Sequence, residues 1–250
     1  MDSKQLVILR RHNERIGIGV QPAVQRCLFI NLIGPIMDKV LRAAFRIELH
    51  GDERLDGIGD RAIFAVQHFF EWDPFVSYCC TVWRRSRRAR HLAPYAIASS
   101  LWTQTRLLRL ASWALGVMSV VKGHEPQAGA IERASRLLRD GAPVTVAIFP
   151  TGPLGQRKTY QIHPGVAHLS MSCPSVPIVP VAVTGLQDID FLSVLNWERP
   201  QLVLHIGRPF CAEEINADGD EEKLAAICNK IREEWDVEAS AVAAVQLVHT

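Results

Sequence analysis

The fold is decided by residues 62–75, which read AIFAVQHFFEWDPF. The apolar run at 62–66 has the length, and the β-branched and aromatic content, of a buried strand. Asp73-Pro74 is typical of a helix start, because aspartate caps free N–H groups and proline fits the first turn. The stretch therefore predicts a strand, a turn that carries His68, and a helix over residues 73–83.

His68 and Asp73 are the candidate reactive pair of this stretch. They are five positions apart, so a carboxylate at the start of the helix can reach back to an imidazole at the end of the strand. A histidine held in this way is a general base near neutral pH. The same residues also suit simpler roles, with Asp73 as a helix cap and His68 as a hydrogen-bonded core histidine. A pair of this spacing alone does not decide between these readings.

Strand-like and helix-like segments alternate along the rest of the chain. Strands are predicted at 46–50, 62–66, 92–98, 144–149, 176–183 and 202–206, with Pro177 and Pro180 interrupting the fifth. Helices are predicted at 21–47, broken at Gly34-Pro35, and at 101–115, 131–138, 166–172 and 221–235. This order predicts an α/β fold with a central mixed sheet flanked by helices. We divide the chain into an N-terminal helical, membrane-proximal segment at 1–45 and one domain at 46–250.

Charge is unevenly distributed along the chain. Residues 1–125 hold 18 basic and 11 acidic side chains, whereas residues 126–250 hold 10 and 15. A basic first half favours an anionic partner such as a membrane surface, although it is also compatible with a solvated face. The basic amphipathic segment at 21–47 likewise either rests on anionic lipid or packs on the domain.

The cysteines and the apolar runs indicate the cellular compartment of the protein. The six cysteines form no C-x-x-C pair, which favours a reducing, cytoplasmic setting. The first residues are polar and lack the pattern of a secretory signal. The longest apolar runs, at 27–37 and 110–121, are shorter than the ~20 residues that span a bilayer.

Several other chemistries lack their motifs. The sequence contains no G-x-S-x-G elbow, phosphate-binding loop or dinucleotide fingerprint. His163 and His168 are off the i,i+4 spacing and have no carboxylate or cysteine companions, so we predict no metal site and no cofactor. We also predict no nucleic-acid partner, since no aromatic-interleaved basic platform is present.

Four segments, in order, resemble the conserved blocks of the PlsC-type glycerolipid acyltransferases. They are VQHFFEWD at 66–73, GVMSVVK at 116–122, IFPTGPLG at 148–155 and PIVPVAV at 177–183. The first resembles the family's N-H-x4-D block, with Gln67 in place of asparagine. Shorter similarities follow at 164–169 and 206–209, so that the resemblance runs from about residue 47 to residue 235.

The resemblance implies a glycerolipid acyltransferase-like fold and an acyl transfer. An acyl group would pass from acyl-CoA or an acyl carrier protein, as co-substrate, to the hydroxyl of a lipid acceptor. His68 would be the general base and Asp73 would orient it, while backbone N–H groups near Thr151 and Gly152 would stabilise the oxyanion. The expected location is cytoplasmic, peripheral on the inner face of the cell membrane.

This sequence departs from the family at residues that hold a glycerophosphate acceptor. Thr151 stands in place of the glutamate of the F-P-E-G-T-R block, Leu154 in place of its arginine, and Lys122 in place of the arginine of the second block. Lysine keeps the charge but loses bidentate phosphate geometry. Arg157 and Lys158 are candidates to replace the missing charge, or they are exposed loop residues. We predict an acceptor other than ordinary lysophosphatidate.

Arginines are concentrated just after the predicted active-site helix. Arg84, Arg85, Arg87 and Arg88 are candidates to bind lipid headgroups, coenzyme A phosphates or an acidic carrier protein. A solvated loop is the alternative. At the level of the whole protein, the alternatives are a non-catalytic lipid-binding protein on the same fold and a lipid-to-lipid transacylase.

Overall fold

The computed structural model describes residues 3–67, 81, 82, 85, 86, 89, 91–121, 129–151, 162–185 and 199–248, apart from the side chains of 101, 102 and 238–248. The helices are α1 (Ser3–Glu14), α2 (Gln21–Leu28), α3 (Gly34–Ala44), α4 (Arg106–Leu115), α5 (Ala130–Arg139), α6 (Gly165–Met171) and α7 (Asp220–Val248). The strands are β1 (Arg46–His50), β2 (Ala62–Val66), β3 (Ala93–Ser99), β4 (Val117–Val120), β5 (Val144–Ile148), β6 (Ile178–Thr184) and β7 (Gln201–Ile206).

The strands form one mixed sheet in the order β1-β7-β6-β2-β5-β3-β4. The five strands from β6 to β4 are mutually parallel, whereas β7 runs antiparallel to β6 and β1 lies parallel to β7. The predicted α/β fold with a central mixed sheet flanked by helices is therefore confirmed.

The core lies on both faces of this sheet. Every residue of β2 and β5 is buried, as expected for central parallel strands covered on two sides. Ile63 and Ala65 share one face with side chains of α5, α6 and α7. Phe64 and Val66 share the opposite face with Leu55, from the segment before β2. Alternate residues of one strand thus serve two hydrophobic layers.

Helix α1 covers the outer edge of β4. The Asn13 side chain is buried and makes two hydrogen bonds with the backbone of Ser119: its amide donates to the carbonyl at 2.9 Å and its oxygen accepts from the N–H at 2.8 Å. His12 Nε2 lies 3.0 Å from the Val117 carbonyl oxygen. These contacts satisfy strand groups that would otherwise form an open, aggregation-prone edge.

The expected helix break at Gly34-Pro35 is wrong. A π-helix at Phe29–Ile33 joins α2 to α3, and the backbone stays helical through Leu28, Phe29 and Ile33. Pro35 lacks an N–H and crowds the carbonyl of the preceding turn. The wider turn just before it accommodates this, as π-turns inside helices do.

The interruption predicted at Pro180 is also wrong, whereas Pro177 lies just before β6, which begins at Ile178. β6 runs without a break through Pro180, which pairs with Ala65 of β2. The Pro180 carbonyl accepts from the Gly207 N–H at 2.8 Å, one residue beyond the end of β7. Proline is tolerated here because its missing N–H falls where the partner strand has ended.

The N-terminal helices and the last helix bear on the domain division. α1, α2 and α3 all precede β1, which begins at Arg46, and the division at 45/46 stays a prediction. α7 extends 13 residues beyond the predicted end at 235. Within the described ranges, no helix combines the length and apolarity needed to cross a bilayer.

Candidate active site

The candidate site is the edge of the sheet where the parallel strands end. Ala65 of β2 pairs with Ile148 of β5, and Ile148 in turn pairs with Ile97 of β3. Val66 pairs with Val181 of β6 on the other side. The carboxyl ends of these strands therefore form one edge, and open α/β sheets bind ligands at such an edge.

Gln67 holds the end of β2 at this edge. Its N–H donates to the Val181 carbonyl at 2.8 Å, and its side chain is only 6% exposed. The strand register is thus maintained up to the residue that precedes His68 in the chain. His68 and Asp73 themselves lie outside the described residues, so their catalytic roles stay predictions.

The end of β5 lies beside the end of β2. Ala65 and Ile148 are the last paired residues of the two strands, and Gln67 and Pro150 each follow two positions later in the chain. The Pro150 carbonyl accepts from the His163 N–H at 2.7 Å, which draws the chain at 150 and the chain at 163 together. Thr151 is described here and is 8% exposed. Gly152, Arg157 and Lys158 are among the residues that the structure does not describe.

The second block ends at the outermost parallel strand. Val120 of β4 pairs with Ser99 of β3, and Val121 is the last described residue before Lys122. β4 is two strand spacings, about 10 Å, from β5. Lys122 lies outside the described residues, and its contact with an acceptor stays a prediction.

Arg85 is the one described member of the four predicted arginines. It is 5% exposed, its guanidinium donates to the Gly59 carbonyl, and it lies over the Phe64 ring with Cζ 5.9 Å from the centroid. Burial lowers the pKa of Arg85 to about 10, and the charge of Asp60 opposes that shift. These contacts lie near the beginning of β2, at the end of the sheet opposite Gln67. Arg84, Arg87 and Arg88 are outside the described residues, and substrate binding by all four stays a prediction.

A cavity of about 170 Å³ adjoins Arg85. Asp60, one of its lining residues, lies 2.9 Å from His91 Nε2. This histidine–aspartate contact is mostly solvent-exposed and lies before β2 and β3, far from their carboxyl ends. It therefore provides a histidine matched in chemistry to His68 but remote from the candidate site.

A second concave feature, not predicted from the sequence, is a groove of about 460 Å³ between α1 and α4. Its lining residues are Ile8, Arg11, His12, Arg15, Arg109, Leu110 and Trp113. The helical spacing of Ile8, His12 and Arg15 in the sequence indicates that they share one face, which forms the α1 wall of the groove. That α4 supplies the other wall is a long-range contact, which periodicity does not reveal.

Comparison with known proteins was informative for the fold. The structure is similar to the crystal structure of the 1-acyl-sn-glycerophosphate (LPA) acyltransferase, PlsC, from Thermotoga maritima, with a TM-score of 0.51. This chain shares that fold. The likeness covers 94% of this chain and 98% of the other, at 12% sequence identity. No family model and no curated protein matches the sequence.

The two proteins therefore share one fold over almost the whole of both chains. At 12% identity the likeness describes the course of the backbone and not the choice of side chains. Substrate and chemistry have to be argued from the residues of this chain.

Proposed function

We propose that the protein is an O-acyltransferase that moves a fatty acyl group from a thioester to a hydroxyl of a lipid acceptor. The observation that carries the proposal is the register at the carboxyl edge, where β2 pairs with β5 up to Ala65 and Ile148, and Gln67 and Pro150 follow the ends of these two strands. The H-x4-D block continues from Gln67, and the F-P-T-G block includes Pro150. Neighbouring strands are about 4.8 Å apart, so this register favours a shared site for the two blocks.

The mechanism follows from the poor nucleophilicity of a hydroxyl at neutral pH. His68 takes the proton as the acceptor oxygen attacks the thioester carbonyl, and Asp73 stabilises the imidazolium that forms. Backbone N–H groups near Thr151 and Gly152 stabilise the tetrahedral oxyanion. The attack forms the carbon–oxygen bond of the new ester. Collapse of the intermediate restores the carbonyl and breaks the carbon–sulfur bond, and His68 returns the proton to the leaving thiolate. The proposed reaction steps use no covalent protein nucleophile and no metal.

The proposed acceptor is a hydroxylated lipid other than lysophosphatidate. Thr151 is mostly buried and uncharged at a position where the resemblance leads one to expect glutamate. Together with Leu154 and Lys122, it leaves fewer groups for bidentate binding of a phosphate monoester. In this proposal Arg157 and Lys158 replace the positive charge that is lost with the arginine of the F-P-E-G-T-R block. A competition assay between lysophosphatidate and lysolipids of other headgroups tests this, and a large preference for lysophosphatidate would contradict it.

The proposed location is the inner face of the cell membrane, with the protein bound peripherally from the cytoplasm. One side of α3 packs through Leu41 against the core layer that contains Leu202 and Leu204. The other side exposes Ile36 and Val40, and Leu32 of the preceding π-helix continues this row at four-residue spacing, each exposed by 51% to 53%. An exposed apolar stripe beside basic side chains favours insertion at a membrane interface.

The decisive experiment for catalysis is thioester turnover with a matched pair of variants. The purified protein is given acyl-CoA or acyl carrier protein with a total lipid extract, and free thiol and new acyl-lipids are measured. We expect His68→Ala to lower turnover by roughly 100-fold or more, because it removes the base. His91→Ala makes the same change at the remote His91–Asp60 contact and should leave turnover unchanged.

Two rival functions predict different results in the same assay. A non-catalytic lipid-binding protein would release no thiol with any donor while still binding lipid. A lipid-to-lipid transacylase would form new acyl-lipids when no thioester is supplied. Either result would overturn the thioester-dependent reaction proposed here.

A further inference from the structure

The groove between α1 and α4, called here the α1–α4 groove, combines positive charge with an apolar wall. Three arginines line it, together with one buried histidine and three apolar side chains: Arg11, Arg15, Arg109, His12, Ile8, Leu110 and Trp113. Its volume of about 460 Å³ is within the range of pockets that hold small molecules.

The positive charge in the α1–α4 groove is not neutralised by described neighbours. No carboxylate of a described residue lies within ion-pair distance of Arg11, Arg15 or Arg109. Glu14, between the first two in sequence, is paired instead with Arg10 at 3.1 Å. Clustered guanidinium groups of this kind repel one another and favour an anion that accepts several of their N–H groups.

Arg109 and His12 are held in place within the groove. Arg109 Nη1 donates to the Thr103 carbonyl at 3.0 Å, which fixes one end of the guanidinium and leaves its other nitrogens for a ligand. His12 Nε2 is engaged by the Val117 carbonyl. Burial lowers the pKa of His12, the Val117 carbonyl partly opposes that shift, and the charge of Arg109 adds to it, so protonation of the imidazole is disfavoured. The groove's positive charge therefore comes from its arginines.

The apolar wall continues onto the open surface. Leu110 is 62% exposed, and Leu107, one turn earlier on α4, is 76% exposed. Val7 and Ile8 of α1 are also exposed on the facing helix. A free inorganic anion would leave this wall in water, whereas a lipid would cover it with its alkyl chain.

We propose that the α1–α4 groove binds the phosphate headgroup of an anionic lipid at a bilayer surface. The arginines hold the phosphate, and the first part of the chain lies along the apolar wall toward Leu107. The groove lies beyond β4, and β4 itself is three strand spacings, about 14 Å, from β2. The groove is therefore separate from the proposed reaction centre. It is a second lipid site and does not depend on the proposed reaction.

The test compares two double variants that lose the same charge. Arg11→Gln with Arg15→Gln removes two groove arginines, both exposed and without a hydrogen bond to a described side chain. Arg106→Gln with Arg139→Gln removes two exposed arginines that do not line the groove and make no ion pair with a described residue. The full-length proteins are sedimented with vesicles of phosphatidylcholine that contain phosphatidic acid.

We expect the groove pair to weaken vesicle binding roughly tenfold or more, because charge-assisted bonds to phosphate are lost. The control pair should change it by about twofold or less, which is the effect of net charge alone. Leu110→Gln should also weaken binding, since it removes part of the wall. Circular dichroism melts of all variants should coincide with that of the intact protein.

Three results would overturn the inference. Equal weakening by both double variants would mean that only net charge matters. Full competition by inorganic phosphate would mean a free-anion site. Equal binding to vesicles without phosphatidic acid would mean no headgroup recognition. His68→Ala should bind vesicles like the intact protein, so failure of the proposed reaction and failure of this inference are separately visible.

Discussion

At the scale of single residues, Gly116, between α4 and β4, is a tightly constrained backbone position. Its φ is +71°, and an added Cβ would lie 2.2 Å from Gln25 Nε2 and 2.8 Å from Tyr95 Cδ1. Gln25 also donates to the Leu115 carbonyl at 3.1 Å, so the clash falls on a side chain with a defined role. Only glycine fits a left-handed position that is approached this closely.

Gly116→Ala should lower the free energy of unfolding by about 2–4 kcal/mol, through backbone strain and displacement of Gln25. Gly141→Ala is the matched control, because Gly141 has a φ of +73° but no atom within 4 Å of its added Cβ. Its cost should be about 1 kcal/mol. Urea unfolding measures both, and equal losses would show that packing at Gly116 contributes nothing.

His12 predicts a pH dependence of stability with a definite sign. Burial lowers the folded-state pKa of His12 below its ordinary value of 6.5, so the unfolded chain binds a proton more readily. The stabilisation is present above about pH 6.5 and is lost as the pH falls toward the folded pKa. His12→Gln keeps a donor for the Val117 carbonyl and does not titrate. The intact protein should therefore lose more unfolding free energy than this variant between about pH 7 and pH 5. A parallel decline would contradict the role of His12.

At the scale of elements, α1 covers the edge of β4 and also forms one wall of the α1–α4 groove. Asn13 supplies both hydrogen bonds to Ser119 from a fully buried position. Asn13→Ala should cost about 2–4 kcal/mol, since it leaves an N–H and a carbonyl of the edge strand unsatisfied. Asn31→Ala, at an exposed position, should cost less than about 0.5 kcal/mol. Similar unfolding midpoints for the two variants would exclude the proposed role of Asn13 at the edge.

The exposed apolar face of α3 and of the π-helix that precedes it predicts a membrane contact. Leu32, Ile36 and Val40 changed together to serine should reduce partitioning onto anionic vesicles by roughly tenfold or more, because three apolar side chains no longer leave water. Val237→Ser is the control, since Val237 is 64% exposed on α7. Undiminished partitioning of the triple variant, with an unchanged melting temperature, would assign membrane contact to another surface.

At the scale of the whole molecule, the central strands were the most predictable part. Residues 62–66 form a strand with the predicted bounds, because a continuous apolar run flanked by polar residues suits a strand buried on both faces. Residue patterns failed where a local rule was overridden by a neighbour. The π-turn before Pro35 and the end of β7 beside Pro180 both accommodate a proline in a position that local rules disfavour.

The sequence shows which segments resemble the family's blocks and in what order they occur. It does not show how these segments are arranged in space. Gln67 and Pro150 follow the ends of the adjacent strands β2 and β5, although the segments that contain them are about 80 residues apart in the sequence. The α1–α4 groove was not predictable, because it depends on which helices pack beside β4. Contacts between distant segments are set by the whole sheet and leave no local periodicity.

The central claim is that His68 makes this fold an acyltransferase. The most direct measurement is thiol release from acyl-CoA and acyl carrier protein in the presence of lipid extract, by the intact protein, His68→Ala and His91→Ala. We predict a new acyl-lipid and matching thiol release with the intact protein and with His91→Ala, and a loss of roughly 100-fold or more with His68→Ala. Turnover by His68→Ala at the intact rate, or no turnover by the intact protein with either donor, would contradict the claim.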